Sequence, residues 1–194
     1  MNYKDLLRKQ LIEFSSKGYN RTFTSIYRYQ ETFPFTRIDL PNEKVKNTTI
    51  NPKTTIWCSN DYLNMSHNQE VINRMIEVIK EVGTGSGGTR NISGTTPYHD
   101  RLEKKLANFH ERDSSLIFTS AYVANQTTIA TLCKRIPNIE VFSDQLNHAS
   151  LIEGIKNSRA SCSIFRHNDL EHLESLLAEK DLNQPKIIVF ESLY

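Results

Sequence analysis

The sequence has few of the features that mark secreted or membrane proteins. Only three of its 194 residues are cysteine, namely Cys58, Cys133 and Cys162, and they form no CxxC motif. Such isolated cysteines are typical of reduced thiols in a reducing compartment. No apolar run approaches the length of a membrane-spanning helix, and the N-terminus lacks a signal-peptide core. We therefore expect a cytoplasmic protein that does not enter a membrane.

Neither sign of charge dominates the chain. Its formal net charge is +2, 24% of its residues are charged, and no basic cluster is interleaved with aromatic side chains. Basic clusters of that kind are the electrostatic mark of nucleic-acid-binding proteins, so no nucleic-acid partner is expected. No metal site is predicted either, because His167 and His172 have no matching frame of carboxylates.

Glycine is also scarce, and five of the seven glycines lie between Gly83 and His99, in GTGSGGTRNISGTTPYH. Glycine permits positive φ angles and close approach of the backbone, so this loop is predicted to follow an unusual path around a polar group. Its G-x-G-x-x-G pattern is not a dinucleotide fingerprint, because the preceding residues 69–82 have helical and not strand periodicity. A Walker A loop is excluded because Thr89-Arg90 stands where lysine would follow the last glycine.

The rest of the chain predicts β-strands that alternate with α-helices. Helices are expected at 4–16, 69–82, 98–110, 123–134, 149–157 and 169–179. Strands are expected at 54–58, 115–119, 139–142, 163–165 and 186–190, with a short hairpin between 36 and 54. This alternation is typical of parallel βαβ units in an open, doubly wound α/β fold with helices on both faces.

The chain is expected to comprise an N-terminal helix and arm, residues 1–55, and part of a large domain, residues 56–194. The last predicted strand is followed only by Glu191-Ser192-Leu193-Tyr194. Ligands of parallel sheets bind beyond the carboxyl ends of the strands. We therefore expect the 194 residues to be the N-terminal part of a longer protein.

Three junctions follow predicted strands at that edge: 120–122, 143–150 and 191–194. The first lies at the start of a helix, where backbone N–H groups suit a phosphate. The second presents His148 at the start of the next helix, and the residues alone leave open whether it acts chemically or only caps the helix. The remaining histidines singled out (His99, His110, His167 and His172) are expected at the surface or in helix caps.

Five motifs then match one family in their order along the chain. They are WCSNDYL, GTGSGGTRNISGTTPYH, FTSAYVAN, FSDQLNHASLIEGI and FRHND. Together they resemble the α-oxoamine synthases, which are fold-type I enzymes dependent on pyridoxal 5′-phosphate (PLP), and the resemblance covers residues 19–194. It implies a homodimer with the active site at the subunit interface. It also implies condensation of glycine with succinyl-CoA, with loss of CoA and CO2, to give 5-aminolevulinate for haem and other tetrapyrroles.

The resemblance also assigns roles around the cofactor. The backbone amides of Ala121 and Tyr122 would hold the PLP phosphate, His148 would stack on the pyridine ring as the catalytic histidine, and Tyr62 would lie near the cofactor. PLP is an electron sink that the protein must bind, orient and tune.

Substrate roles follow in the same way. Asn60 would contact the carboxylate of glycine, and Ser143 would contact CoA. Arg21, Thr89 and Asn91 would receive the far carboxylate of the succinyl group, since a guanidinium matches the geometry of a carboxylate. Such a site should reject an acyl group that leaves its polar groups unpaired. Arg28 is expected to be structural.

The sequence also departs from the family pattern. The family's Schiff-base lysine, and the aspartate that pairs with the pyridine nitrogen, lie beyond the point where this sequence stops, so the 194 residues alone are expected to be inactive. Asn64 replaces a usual glycine, and Cys162 stands where a CoA-binding basic residue is expected. Two alternatives remain: a sister enzyme, such as 2-amino-3-oxobutyrate CoA ligase or 8-amino-7-oxononanoate synthase, and a non-catalytic remnant.

Overall fold

The computed structural model describes residues 2–19, 23, 25–39 and 54–194. They belong to two compact units, Met1–Gly85 and Ser86–Tyr194. The arm and large domain expected on either side of residue 55 stay a prediction.

The first unit begins with helix α1, Tyr3–Ser16, as predicted. The side chain of Asn2 caps it by accepting the N–H of Lys4, and Gly18 follows the helix with a φ of 71°. Three short strands then form an antiparallel sheet in the order β1-β2-β3: β1 is Ser25–Tyr27, β2 is Phe35–Asp39 and β3 is Thr54–Thr55. β3 is shorter than the strand predicted over 54–58, and residues 40–53 of the expected hairpin lie outside the described residues.

Helix α2, Gln69–Val82, has the bounds that its periodicity predicts. The side chain of Asn68 caps it by accepting the N–H groups of Glu70 and Val71. A helix therefore precedes the glycine loop, which confirms that the loop is not a dinucleotide fingerprint. Asn64 has a φ of 52°, a left-handed conformation that asparagine tolerates in place of glycine.

The glycine loop follows the unusual path predicted for it. Gly87 has a φ of 71°, which side chains rarely adopt. Residues Arg90–Gly94 form a single π-type turn, closed by the Gly94 N–H donating to the carbonyl of Thr89 at 2.8 Å. A side chain at Gly94 would collide with the backbone of Gly88. Glycine is thus required here both for a positive φ and for a close backbone approach.

The second unit is a three-layer α/β structure. Its helices are α3 (Pro97–Phe109), α4 (Ala121–Arg135), α5 (Ala149–Ser158) and α6 (Leu170–Ala178). Its strands are β4 (Glu140–Asp144), β5 (Ser161–Phe165) and β6 (Lys186–Val189). The strands form a parallel sheet in the order β5-β4-β6, which confirms the predicted parallel α/β fold.

Side-chain alternation along β4 places a separate core on each face of the sheet. Val141 packs with Ile129 of α4 and Leu151 of α5, while the adjacent Phe142 packs with Leu173 of α6 on the other face. Val141 and Phe142 are completely buried. Strands of a parallel sheet are commonly covered on both faces in this way, although β4 also buries the polar residues Glu140, Ser143 and Asp144. The expectation of helices on both faces is confirmed.

One predicted strand is wrong. Residues 115–119 form no strand, and Leu116 is 65% exposed. The segment has strand-like composition, but a strand exists only where a neighbouring strand accepts and donates its backbone hydrogen bonds. The parallel sheet of the described residues contains only β5, β4 and β6. Among the described residues, every helix falls short of the length and apolar character that crossing a bilayer requires.

Candidate functional site

The starts of helices α4 and α5 lie side by side in the second unit. The ring of Tyr122, in the first turn of α4, meets the ring of His148, which caps α5, edge to face at 5.9 Å between centroids. α5 follows directly on the carboxyl end of β4. Residues of the predicted junctions 120–122 and 143–150 therefore come together at the edge where ligands of parallel sheets bind, and Glu191 of the third junction accepts the backbone N–H of His148.

The N-terminus of α4 presents two backbone donors. The side chain of Ser120 caps the helix by accepting the N–H of Val123 at 3.2 Å. Within the described part of the chain, no acceptor takes the N–H of Ala121 or of Tyr122, and both residues are exposed. Unpaired N–H groups at the positive end of a helix dipole suit a phosphate. The helix start that the sequence predicts as a phosphate site therefore has free donors.

His148 has an exposed ring, and hydrogen bonds hold both its backbone and its Nδ1 in place. Its Nδ1 lies 3.2 Å from the N–H of Ser150 and 2.7 Å from the Ser150 hydroxyl. Its own backbone N–H donates to Oε1 of Glu191, which follows β6, at 2.5 Å. His148 thus does cap α5, and the cap and a chemical role are compatible, because the ring edge that carries Nε2 remains available.

Asn147 and Ser143, beneath this edge, are buried, and their polar side chains make hydrogen bonds. The Nδ2 of Asn147 donates to Ser143 Oγ at 2.9 Å and to the carbonyl of Val189 at 2.8 Å, which ties the ends of β4 and β6 together. The hydroxyl of Ser143 also donates to the carbonyl of Asp144. Only 4% of Ser143 is exposed, so its expected contact with CoA rests on the resemblance alone.

Asp144 and His167 form a pair that sequence reasoning missed. The buried carboxylate of Asp144 lies 3.0 Å from His167 Nδ1 and also accepts the N–H groups of Leu146 and Asn168. Burial opposes its ionisation, but these hydrogen bonds outweigh burial and lower the pKa of Asp144. The side chain of His167 is half-buried, and it joins the segment after β5 to the end of β4, a contact that the expected surface or cap position does not include. His99 and His110 lie at the two caps of α3, as predicted, whereas the Nδ1 of His172 accepts the N–H of Arg166, which precedes α6.

Arg90 anchors the glycine loop to helix α3. Its guanidinium forms a two-pronged ion pair with Glu103, which also accepts the N–H of Ile117 at 2.8 Å. The hydrogen bond from Arg90, followed by that from Ile117, lowers the pKa of Glu103 to about 2. Thr89 and Asn91 flank this anchor with exposed side chains. No hydrogen bond or ring contact of the described residues joins Thr89 or Asn91 to His148.

In the first unit, Asn60 and Tyr62 flank a turn that Asp61 holds. The Asp61 carboxylate accepts the N–H of Met65 at 2.8 Å, and Arg28 lies 3.9 Å from it. Arg28 thus contacts the residue that holds the turn, and its structural role stays a prediction. Asn60 and Tyr62 are both exposed, and 80% of Tyr62 is open to solvent. Arg21, the expected carboxylate-binding residue, lies outside the described residues.

Comparisons with known proteins agree with this fold. The profile of the aminotransferase class I and II family matches residues 52–194. The chain also resembles solved structures. One is a serine palmitoyltransferase from S. paucimobilis with a bound PLP–myriocin aldimine. The match covers 98% of this chain and 46% of the palmitoyltransferase chain, with a TM-score of 0.76 and 26% sequence identity. Another is an 8-amino-7-oxononanoate synthase from Francisella tularensis. The match covers 62% of this chain and 33% of the synthase chain, with a TM-score of 0.51 and 27% sequence identity.

Curated relatives are similar along the whole chain. The 5-aminolevulinate synthase of Rhodobacter capsulatus is 44% identical over 194 residues, which are all of this chain and 46% of that enzyme. The one from Rickettsia prowazekii is 45% identical over 195 residues, again all of this chain, and 44% of that enzyme. The erythroid-specific, mitochondrial enzyme of Danio rerio is 42% identical, with 32% of its length covered.

The chain therefore spans less than half the length of these relatives. It is homologous to 5-aminolevulinate synthases and has the α/β structure of fold-type I PLP enzymes. The family profile covers more than two thirds of its residues. By sequence and by fold, the chain belongs to the aminotransferase class I and II family.

Proposed function

We propose that this chain is the N-terminal part of an enzyme that condenses glycine with succinyl-CoA, releasing CoA and CO2, to form 5-aminolevulinate for tetrapyrrole and haem synthesis. The observation that carries the proposal is the 44–45% identity to 5-aminolevulinate synthases over every residue of the chain. A match of that extent includes both candidate ligand-binding regions, the glycine loop and the edge of the sheet. Substrates, activity and partners are proposed for the longer protein.

The edge of the sheet in the second unit fits PLP. The free N–H groups of Ala121 and Tyr122 at the start of α4 supply hydrogen bonds and a positive helix dipole for its phosphate. The exposed ring of His148, held by its hydrogen bonds to Ser150, supplies a flat surface for its pyridine ring. PLP, when bound, supplies an electron sink for charge that develops at the α-carbon of glycine. Tyr62 is proposed to lie near the cofactor.

The substrate contacts are proposals of the same kind. Asn60 binds the carboxylate of glycine, and Ser143 contacts CoA. Arg21, Thr89 and Asn91 bind the far carboxylate of the succinyl group. The ion pair between Arg90 and Glu103 supports this assignment because it fixes the backbone between Thr89 and Asn91. A fixed loop presents its polar groups with little loss of conformational freedom on binding.

The remaining parts of the proposal concern the whole protein. The Schiff-base lysine and the aspartate that pairs with the pyridine nitrogen are supplied by sequence outside these 194 residues. The active enzyme is a homodimer. A cytoplasmic location stays our prediction, and one relative, from Danio rerio, is described as mitochondrial.

The test is product formation by the natural gene product that contains this chain, with PLP and glycine, and with either succinyl-CoA or acetyl-CoA. We expect strong preference for succinyl-CoA. The Arg21→Leu variant should lose most of that preference, since a carboxylate left without its guanidinium is poorly bound. Arg28→Leu is the matched control for loss of an arginine, and it should affect stability more than the preference between acyl groups.

Two other results would contradict the proposal. Preference for acetyl-CoA would assign the chain to a sister enzyme, such as 2-amino-3-oxobutyrate CoA ligase, and leave Arg21 without a role in specificity. Absence of turnover with both acyl-CoA substrates, despite bound PLP, would favour a non-catalytic remnant.

A further inference from the structure

The hydroxyl of Ser150 bridges His148 and Asn125. Ser150 is fully buried. Its Oγ lies 2.7 Å from His148 Nδ1 and 3.1 Å from Asn125 Nδ2. Asn125 belongs to α4, whereas Ser150 is in the first turn of α5. This row of hydrogen bonds therefore connects the two helices whose N-termini form the candidate cofactor site.

The backbone N–H of Ser150 determines the direction of every hydrogen bond in the row. It lies 3.2 Å from His148 Nδ1, and an amide N–H can only donate. Nδ1 must then offer its lone pair, and the Ser150 hydroxyl donates to it as well. The Ser150 oxygen in turn accepts from the amide nitrogen of Asn125. A neutral imidazole that accepts at Nδ1 carries its proton at Nε2.

We propose that Ser150 and Asn125 are positioning residues that hold His148 as its Nε2–H tautomer and fix the plane of its ring. The inference rests on the proposed function insofar as His148 meets PLP. Nε2 has no hydrogen-bond partner among the described residues, so its N–H is free to donate to a bound group. The supporting residues are buried or half-buried while the ring is exposed. Tautomer and orientation are thus set before any ligand arrives.

The tautomer can be measured in the natural gene product that contains this chain, prepared without PLP. Nitrogen-15 NMR of the imidazole rings, at a pH where they are neutral, distinguishes protonated from unprotonated ring nitrogens, and comparison with His148→Gln identifies the signals of His148. We expect the wild-type ring to be mostly Nε2–H. Ser150→Ala removes one donor to Nδ1 and should reduce the ratio of Nε2–H to Nδ1–H about 2- to 10-fold, as loss of one net hydrogen bond does.

Asn125→Asp is the sharper variant, because it keeps the size of the side chain and reverses its hydrogen bonding. A carboxylate can only accept, so the Ser150 hydroxyl would turn towards residue 125 and leave its oxygen facing Nδ1. The Nδ1–H tautomer should then gain more than it does in Ser150→Ala. Gln126→Glu is the matched control, since it makes the same change of charge one residue further along α4 and should leave the ratio unchanged.

A wild-type ring that is mostly Nδ1–H would overturn the inference. So would an unchanged ratio in both variants, measured in chains whose backbone amide spectra match the wild type. Asn125→Asp alone decides the question if Ser150→Ala does not fold.

PLP titration of the natural gene product is a separate experiment, and it distinguishes the two proposals. We expect Asn125→Asp to weaken PLP binding relative to Gln126→Glu. Failure of the wild-type protein to bind PLP would defeat the proposed function and leave the tautomer result standing. If the wild-type protein binds PLP normally but the ratio of Nε2–H to Nδ1–H is the same in the variants, only the proposed role of Ser150 and Asn125 is defeated.

Discussion

The ion pair between Arg90 and Glu103 shows how one residue can fix a functional loop. Glu103 accepts from Arg90 and from the N–H of Ile117, so one carboxylate joins the glycine loop, helix α3 and the segment after it. Carboxylates that accept several strong hydrogen bonds stay ionised at low pH. The loop that presents Thr89 and Asn91 is therefore coupled to the charge of Glu103.

We predict that Glu103→Gln flattens the dependence of stability on acid pH. The pKa of Glu103 is lowered from 4.5 to about 2, so the folded state binds its proton less readily than the unfolded state. Its stabilising effect is complete above about pH 4.5 and is lost as the pH falls towards 2. Chemical unfolding of wild type and variant across this range should show a difference that is largest at the higher pH. Glu153→Gln, which breaks an exposed ion pair, is the control. If the free energies of unfolding of wild type and Glu103→Gln differ by the same amount at every pH, the account is contradicted.

At the residue scale, the sequence predicts local roles better than distant pairings. The left-handed Asn64 and the helix-starting His148 follow from rules about neighbouring residues. The bond between Asn125 and Ser150 and the ion pair between Arg90 and Glu103 join residues on different elements. No short-range pattern encodes such pairs, so they become visible only after the elements have packed.

At the scale of elements, helix α4 should couple its cap to anion binding. Ser120→Ala removes the side chain that accepts from Val123 and should lower the free energy of unfolding by about 0.5–2 kcal/mol. Ser120→Asp keeps a capping oxygen but adds a negative charge beside the N–H groups of Ala121 and Tyr122. We therefore expect it to preserve stability and to weaken PLP binding about 10-fold or more, because charge repulsion acts at short range.

The measurements are thermal unfolding and titration of PLP into the natural gene product. Ser120→Asn, which also caps helices well, is the uncharged control and should leave both properties near those of the wild type. Equal PLP affinity in Ser120→Asp and Ser120→Asn would place the phosphate away from this helix.

Gly154 should be essential for the packing of α5 on α4. A Cβ atom at this position would lie 3.0 Å from the carbonyl oxygen of Gln126 and 3.0 Å from Ile129 Cβ. Gly154→Leu should therefore lower the free energy of unfolding by about 1–3 kcal/mol, as overpacked cores do. Lys156→Leu on the exposed face of the same helix should change it by less than about 0.5 kcal/mol. Similar values for the two variants in chemical unfolding would show that the helices separate readily.

Periodicity predicts the helices closely and the strands less well. The bounds of α2 agree with the prediction because its apolar spacing and its Asn68 cap act within one element. The segment 115–119 has the composition of a strand but does not pair, since pairing depends on distant residues. The β5-β4-β6 order also depends on distant pairing, and no residue pattern along the chain contains it.

At the scale of the whole molecule, we predict that the 194 residues alone do not turn over glycine and succinyl-CoA. The chain spans 46% of the Rhodobacter capsulatus relative, and the proposed lysine and aspartate partners of PLP belong to the remaining sequence. An assay of the isolated chain with PLP and both substrates should give no product above background, with the natural gene product as the positive control. Rates comparable to that control would refute the proposal that essential groups lie elsewhere.

The central claim is that PLP binds where helices α4 and α5 begin, and a crystal structure of the natural gene product with PLP tests it most directly. The account predicts phosphate oxygens about 2.7–3.2 Å from the N–H nitrogens of Ala121 and Tyr122, with the pyridine ring against His148. A phosphate bound at another helix, or a pyridine ring that does not contact His148, would contradict the account.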